Sequence, residues 1–436
     1  MSELRPDGWA TKSFKSICKS LVNGGTPDTS NPAYWNGSIP WITGADFNPY
    51  GLGDFRRYIS DLAIRASSTN VVKTGNLLIV TRTGVGKIAI APCDVAISQD
   101  ITGVYLDSDQ ADVRYMFFLM TRGTEELKKL NQGTSINGII RSDLERYPVL
   151  LPNDLSEQRH IAETLEAISQ AIVKKESLMA KYKWIKAGLM HALFTRGLDE
   201  NGQLRCPREA APELYRHSPL GWIPKNWQVV ELGSICQSIT SGSRGWAKYY
   251  SSDGAIFIRV GNLTRAHPNF RWDSIEHVRT PPSAEGRRTA VESGDILISI
   301  TADLGMIGIA GNDLGEAYVN QHIALARPDG VKANSRYVGH FLLSEMGQPQ
   351  FASLNDPGAK AGLNLATVGR LLVAYPASSS EAGSIADTID SVDRLIKSIR
   401  ADLTKLEQKK KGLMTDLLTG HVSIRLTYPP DEPAYV

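Results

Sequence analysis

Between Glu381 and Thr419, apolar residues recur at Ile385, Ile389, Val392, Ile396, Ile399, Leu403, Leu406, Leu413 and Leu417. The intervals alternate four and three once Lys410 takes one position of the seam. Apolar a and d sites sustained in this way predict a long helix that must bury one stripe against another helix. The chain supplies a partner itself. Subtracting 224 from each number gives Ile161, Leu165, Ile168, Ile172, Lys175, Met179, Tyr182, Lys186, Leu189 and Leu193, a second helix on the same template.

The ends of the two helices match as well. Asp154 stands three residues before Glu157 and Ser378 three before Glu381, the spacing of a capping box. Gly188-Leu189-Met190 with Thr195-Arg196-Gly197 at one exit answers Gly412-Leu413-Met414 with Thr419-Gly420 at the other, and the closing glycines suit a C′ position. At 1.5 Å per residue, the 39 residues 381–419 form a rod on the order of 58 Å. A rod with one greasy seam needs a partner in water, and the chain can return its sister helix alongside. The two are expected to pair antiparallel, with the Ile161 end near the Leu417 end.

The repeat extends beyond the helices. Trp9, Phe14 and Ser16-Ile17-Cys18 align with Trp227, Leu232 and Ser234-Ile235-Cys236 at an offset of 218. Gly75-Asn76-Leu77-Leu78-Ile79 aligns with Gly294-Asp295-Ile296-Leu297-Ile298 at 219, and Arg114-Tyr115 with Arg336-Tyr337 at 222. So long a period means a duplicated domain-plus-helix unit, not a solenoid. In each copy, short β-branched runs bounded by glycine or proline read as strands (Ile39–Thr43, Leu77–Thr81, Lys87–Ala91, Ile101–Leu106; then Ala255–Val260, Asp295–Ile300, Met306–Ala310). One helix is expected over 112–131 and its counterpart over 334–354. The fold class is therefore mixed α/β (α+β), with two similar globular domains, two long antiparallel coiled-coil helices and a pseudo-twofold repeat. The boundaries fall at 1–152 (first domain), 153–197 (first helix), 198–226 (an extended surface linker), 227–376 (second domain), 377–420 (second helix) and 421–436 (tail).

Charge is nearly balanced, 48 basic against 46 acidic residues, so composition alone does not announce a nucleic-acid partner. Lysines crowd both helices, which by itself describes a solvated face. Cys18, Cys93, Cys206 and Cys236 show no CxxC spacing and read as reduced thiols. No run reaches transmembrane length and the first residues lack an apolar signal, so no membrane is expected and the location is expected to be cytoplasmic.

No catalytic constellation stands out. Asn31-Pro32-Ala33-Tyr34 approximates an adenine-methyltransferase pocket, but its third residue is alanine and no glycine-rich turn for a methyl donor accompanies it. Gly84-Val85-Gly86-Lys87 is too short for a phosphate loop, and Ile88 follows where Ser or Thr is required. The 8 histidines have no metal-ligand spacing. Catalytic, metal and cofactor residues are thus expected to be none.

What remains is loops rich in groups that match base edges and phosphates. In the first copy these are Thr26, Tyr34, Trp35, Arg56, Arg57, Arg82, Thr83, Lys87, Gln99, Gln132, Thr134 and Ser135. In the second they are Arg244, Lys248, Tyr249, Arg259, Asn262, Arg265, Arg271, Thr301, Gln321, His322 and Lys360. The bland alternative for each is an ordinary turn or surface residue, and for Tyr34 and Trp35 a cap on the core. Only the two-domain, two-rod arrangement makes the set cohere.

With those segments in place, the chain resembles the specificity (S) subunits of type I restriction–modification systems. The resemblance is carried by Gly24-Gly25-Thr26-Pro27 with Tyr34-Trp35-x-Gly37-x-Ile39-Pro40-Trp41-Ile42, by Gly75-Asn76-Leu77-Leu78 through Gly86-Lys87-Ile88-Ala89, and by Pro152 to Glu157-Gln158. The second copy adds Ser218-Pro219-Leu220-Gly221-Trp222-Ile223-Pro224, Asn320-Gln321-His322 and the Gly412-to-Gly420 exit. It departs at Ser241-Gly242-Ser243-Arg244, where the first copy has Gly-Gly-Thr-Pro, and at Glu381-Ala382, where the first has Glu157-Gln158. The resemblance implies two target-recognition domains that bind the halves of an asymmetric bipartite site in double-stranded DNA. It implies two modification (methyltransferase) subunits docked on the helices, and restriction (motor-endonuclease) subunits that join them. S-adenosylmethionine, ATP and Mg would then belong to those partners, and this chain would direct adenine methylation and restriction without catalysing either. Two other readings compete: a coiled-coil scaffold whose globular units bind protein, and a stand-alone DNA adenine methyltransferase.

Overall fold

A computed structural model of the chain describes residues 6–48, 51–129, 138–242, 245–279, 288–354 and 362–422. The chain divides into two compact units, Met1–Glu176 with Asp402–Val436, and Ser177–Ala401. Each unit therefore takes its long-helix segments from two distant stretches of chain.

The first unit contains strands β1 (Trp9–Ser13), β2 (Cys18–Asn23), β3 (Ile39–Ile42), β4 (Phe47–Asn48), β5 (Gly51–Leu52) and β6 (Tyr58–Ile59). There follow β7 (Asn70–Val72), β8 (Leu77–Val80), β9 (Ile88–Ile90), β10 (Val95–Ile97), β11 (Ile101–Leu106) and β12 (Pro148–Pro152). They form two four-stranded sheets, ordered β2-β11-β8-β9 and β6-β3-β10-β7. Helices α1 (Asp61–Ala66), α2 (Val113–Arg122), α3 (Thr124–Lys129) and α4 (Arg141–Arg146) surround them. The run Leu77-Leu78-Ile79-Val80 is wholly buried, as an apolar strand covered on both faces must be. Strand alternation then assigns its side chains. Leu77 and Ile79 enter the core under the helices, whereas Leu78 and Val80 enter the core shared with Ile42, Val95 and Ile97 of the second sheet.

The second unit repeats the plan. A hairpin β13 (Tyr215–Ser218) and β14 (Gly221–Pro224) precedes β15 (Trp227–Glu231), β16 (Cys236–Ser241), β17 (Tyr250–Ser251) and β18 (Ala255–Ile258). Next come β19 (Glu276–Val278), β20 (Ile296–Ser299), β21 (Ile307–Ile309), β22 (Ala317–Val319), β23 (Ile323–Pro328) and β24 (Leu372–Pro376). The sheets are ordered β16-β23-β20-β21 and β17-β19-β18-β22, and β15-β24 answers β1-β12. Ile296 and Ile298 face one core and Leu297 the other, as in β8.

The long helices are α5 (Leu155–Arg196) and α9 (Ser379–Leu418); α6 (Ser335–Leu342), α7 (Gln348–Ser353) and α8 (Leu365–Gly369) lie between them in sequence. In the first unit, Ile161, Ala162 and Leu165 share a core with Leu417 and Leu418, and Lys175 Nζ reaches Asp402 at 2.8 Å. In the second, Leu193 and Phe194 share a core with Ala382, Ile385 and Ile389, and Lys186 Nζ reaches Asp393 at 2.6 Å. Numbers rise along one helix as they fall along the other, so the segments run antiparallel in both units. Those aspartates explain Lys175 and Lys186 in the seam, which apolar periodicity does not.

Several local expectations are corrected. The helix expected over 112–131 breaks into α2 and α3 at Gly123, where any Cβ would lie 2.5 Å from the Tyr147 hydroxyl. Its counterpart over 334–354 breaks between Leu342 and Gln348, where Ser344 bonds the chain locally through its hydroxyl. The linker 198–226 is no extended strap, because it carries the β13–β14 hairpin and buries Tyr215 and Ile223. At the first helix, Asp154 accepts from the Ser156 amide. The second capping box is half formed, since Ser378 Oγ accepts from the Glu381 amide at 3.4 Å while the Glu381 carboxylate is buried and goes elsewhere. That carboxylate accepts from the Leu198 amide (2.9 Å), the Trp227 indole (3.0 Å) and Arg205 through both terminal nitrogens (2.6 and 2.9 Å).

Candidate nucleic-acid interface

In the first unit, strand direction brings four loops to one rim. β3 and β10 run parallel, so the turns after Ile42 and Ile97 emerge together. β2 and β8 both end opposite the start of β11 (Asn23 beside Thr102, Val80 beside Ile101), which adds residues 24–30 and 81–87. Loop ends of parallel strands with free backbone groups are where ligands gather in α/β sheets.

The rim is tied by side chains. Thr26 donates its hydroxyl to Oε1 of the exposed Gln99, a side chain of the type that pairs with adenine edges. Thr83 donates to Asp100 Oδ1 at 3.5 Å, and Lys87 donates to the Gly44 carbonyl at 2.8 Å. Thr43 caps the short turn 44–46, whose buried Asp46 accepts from the Thr43 amide at 2.7 Å and from Arg56 Nε at 2.5 Å. Burial pushes the Asp46 carboxyl up, but Arg56 and Thr43 outweigh it and hold the group below the usual range. Arg57 lies over Trp41 and Trp35, 5.0 and 5.9 Å from the ring centres, and the two rings meet edge-on at 5.1 Å. Tyr34 and Trp35 are half-buried against Trp41 and Ile59, so both serve the core as well as the rim. Arg82 is exposed at the tip of the 81–87 loop.

The second unit builds the same rim from β16, β18, β20 and β22. Thr301 Oγ1 lies 2.7 Å from His322 Nδ1, and Gln321 Nε2 lies 3.0 Å from His322 Nε2. Gln321 Nε2 is a donor, so this arrangement puts the ring proton on Nδ1, which donates to Thr301 Oγ1. Ala302, next to Thr301, sits at φ 59°, a left-handed conformation costly for a side-chain-bearing residue. Arg259 pairs with Glu276 at 3.0 Å, Arg265 with Asp303 at 3.1 Å, and Arg271 donates to the Gly261 carbonyl. Lys248 lies 5.0 Å from the Tyr249 ring centre. Asn262 is a structural residue instead. It is buried, and its side chain holds the Arg259 amide and the Arg271 and Ser274 carbonyls. Gln132, Thr134, Ser135, Arg244 and Lys360 lie outside the described residues.

Sequence reasoning missed Thr43, Asp46 and Asp100. The signal for the first two was a Thr-x-x-Asp capping spacing. For Asp100 it was the repeat itself, since Ser98-Gln99-Asp100 aligns with Asn320-Gln321-His322 at an offset of 222.

Compared with known proteins, the chain matches the type I restriction modification DNA specificity domain twice, over residues 6–179 and 224–408. It is 27% identical over 267 residues to the type I restriction enzyme MjaIX specificity subunit of Methanocaldococcus jannaschii, covering 60% of this chain and 59% of that relative, less than two thirds of its length. It is 23% identical to the putative MjaX specificity subunit of the same organism, across 96% and 95% of the two chains. The crystal structure of a type I restriction–modification S subunit from M. genitalium superposes with a TM-score of 0.62, covering 96% of this chain and 97% of that one at 16% identity. These matches carry the two-domain, two-helix fold.

Proposed function

This chain belongs to the type I restriction–modification DNA specificity family, and from that premise we propose that each of its two units reads one half of an asymmetric, bipartite site in double-stranded DNA. The carrying observation is the duplicated rim. The strand ends after β8 and β10 present Thr83, Gln99 and Asp100 in one unit, and their counterparts after β20 and β22 present Thr301, Gln321 and His322 in the other. One scaffold with two different donor and acceptor patterns suits two different half-sites. Exposed Arg57 and Arg82 suit phosphates, which position the protein without specifying sequence.

The long helices are the proposed seat of two modification subunits, with restriction subunits joining that assembly. Support comes from apolar residues that a solvated helix would not carry. Trp184 is 80% exposed, and Leu178, Ile185 and Leu395 are exposed too. S-adenosylmethionine, ATP and Mg belong, in this reading, to the partners. No described helix is long and apolar enough to cross a membrane, and the protein is assigned to the cytoplasm with its DNA.

The test is to replace residues 1–152 by the equivalent part of a relative with a known target, and to sequence the methylome of cells carrying the full system. One half of the methylated site should change and the other persist. A change in both halves would refute the assignment of one half-site to each unit.

A further inference from the structure

The first unit has a cleft of about 540 Å³ between β9, α2, the first half of α5 and the end of α9. Ile90, Phe117, Phe118, Ser169, Lys410 and Met414 line it. The internal repeat shows what such a cleft holds. In the second unit the equivalent place is filled by the chain's own segment from Thr264 to Phe270.

The grip on that segment is specific. Ile307 and Ile309 turn their amides away from β20 and donate to the carbonyls of Thr264 (3.2 Å) and Pro268 (2.7 Å), so the segment is tied to the edge of β21 through two carbonyls, Thr264 as an isolated antiparallel bridge. Lys186 donates to the Ala266 carbonyl at 2.7 Å, and Arg336 to the Asn269 side chain at 2.9 Å. Pro268 packs on Gly339, where a Cβ would lie 3.5 Å from it.

Every gripping residue, and His340 next to Gly339, has a positional counterpart in the first unit. Ile307, Ile309, Arg336, Gly339, His340 and Lys186 correspond to Ile88, Ile90, Arg114, Phe117, Phe118 and Lys410 at the offsets of the repeat. The register of β9 on β8 turns the Ile88 and Ile90 amides outward, and among the described residues no acceptor meets them. The first unit's own counterpart segment folds into the β4–β5 hairpin, and Gly51 and Leu52 form a wall of the cleft instead of filling it. One difference fixes the missing chemistry. Lys186 is balanced by Asp393, but the residue that corresponds to Asp393 is Ser169. Lys410 is half-buried over the Phe118 ring with no carboxylate partner among the described residues.

We propose that this cleft binds a peptide segment of another polypeptide, whose carbonyls accept from the Ile88 and Ile90 amides at the edge of β9, which sets apolar side chains on Phe117 and Phe118 and places a carboxylate on Lys410. The inference stands on the repeat and the cleft, and does not depend on the DNA reading.

A synthetic peptide of residues 262–272 of this chain carrying Ala266→Asp is the probe, with the unsubstituted peptide as reference and the full chain as receptor. Fluorescence anisotropy should show the acidic peptide binding at least tenfold more tightly than the reference. Hydrogen exchange at the Ile88 and Ile90 amides should slow on binding. Lys410→Ala should weaken the acidic peptide at least tenfold. Ser169→Asp, which installs the carboxylate of the second unit, should erase the advantage of the acidic peptide in a receptor that retains its lysine. Absence of binding at millimolar peptide, binding without protection of Ile88 and Ile90, or an advantage that survives both variants would overturn the proposal.

Discussion

Replacing Glu381 by alanine tests how the second unit is held together. The carboxylate is 8% exposed and receives four hydrogen bonds, from the Leu198 amide, the Trp227 indole and both terminal nitrogens of Arg205. It thereby joins the first turn of α9, the chain leaving α5 and the start of β15. Arg205 is itself largely buried. Deleting one member of a buried, hydrogen-bonded ion pair costs about 3–5 kcal/mol, because the partner charge is left in a poor solvent. The second unit spans Ser177–Ala401. For a unit of that size each kcal/mol moves the melting point by roughly 2–4 °C, so a loss near 4 kcal/mol lowers it by roughly 8–16 °C. Glu381→Gln should fall between, because one amide oxygen replaces an acceptor while the amide NH₂ faces the donors of Arg205. Arg205→Leu added to Glu381→Ala should recover part of the loss, since it removes the stranded charge. Urea unfolding with hydrogen exchange and mass spectrometry assigns the transition to residues 177–401. A loss below about 1 kcal/mol, or one confined to the first unit, would refute the argument.

Four further outcomes are expected. Acid should weaken the second unit in two stages, read as urea midpoints between pH 3 and 8. Burial holds His340 below its usual value, so stability present above about pH 6.5 is lost as the unfolded chain takes up a proton the folded one resists. Asp390 feels burial raising its pKa, but His340 and Arg336 hold it well below the carboxylate range. A second loss therefore follows below about pH 4, and Asp390→Asn should remove it. With a disulfide reagent at pH 8, exposed Cys206 should react first, because burial pushes the Cys18 and Cys236 thiols up to about 12; mass spectrometry of the labelled peptides reads the order. Gln99→Ala and Gln321→Ala should each relax one half-site by roughly 1–3 kcal/mol, measured by competition binding with single-base variants of the target. Trp184→Asp should weaken assembly with the modification subunit in analytical ultracentrifugation while leaving the melting point within a few degrees.

The long helices and the duplication were legible because both write themselves as fixed spacings: a heptad over Ile385–Leu417, and an offset that brings Trp9 to Trp227. The strands were legible where burial on both faces forces an apolar run, as at Leu77–Val80. Two kinds of feature were not. Lys175–Asp402 and Lys186–Asp393 join residues more than two hundred positions apart, and nothing local marks an aspartate as the answer to a seam lysine. Side-chain hubs escaped too. Glu381 fits the capping spacing, yet in the folded chain its charge goes to Arg205 and Trp227. Loop composition picked Thr26, Gln99, Thr301 and His322, which strand ends bring to the rims, but also drew in Asn262, because an amide that knits a turn and one exposed at a rim look identical in a sequence.

The division of the chain imposes an order on its maturation. The core of the first unit includes Leu417 and Leu418, which emerge from the ribosome after the whole of 177–401. At about 5–20 residues per second, those 225 intervening residues take roughly 10–45 s to be made. Throughout that interval the core around Ile161 and Leu165 lacks Leu417 and Leu418, whereas at its end the second unit has every segment it requires. The part translated first is thus the part completed last, and a message cut short after Ala401 would yield an intact second unit beside a first unit lacking its closing helix.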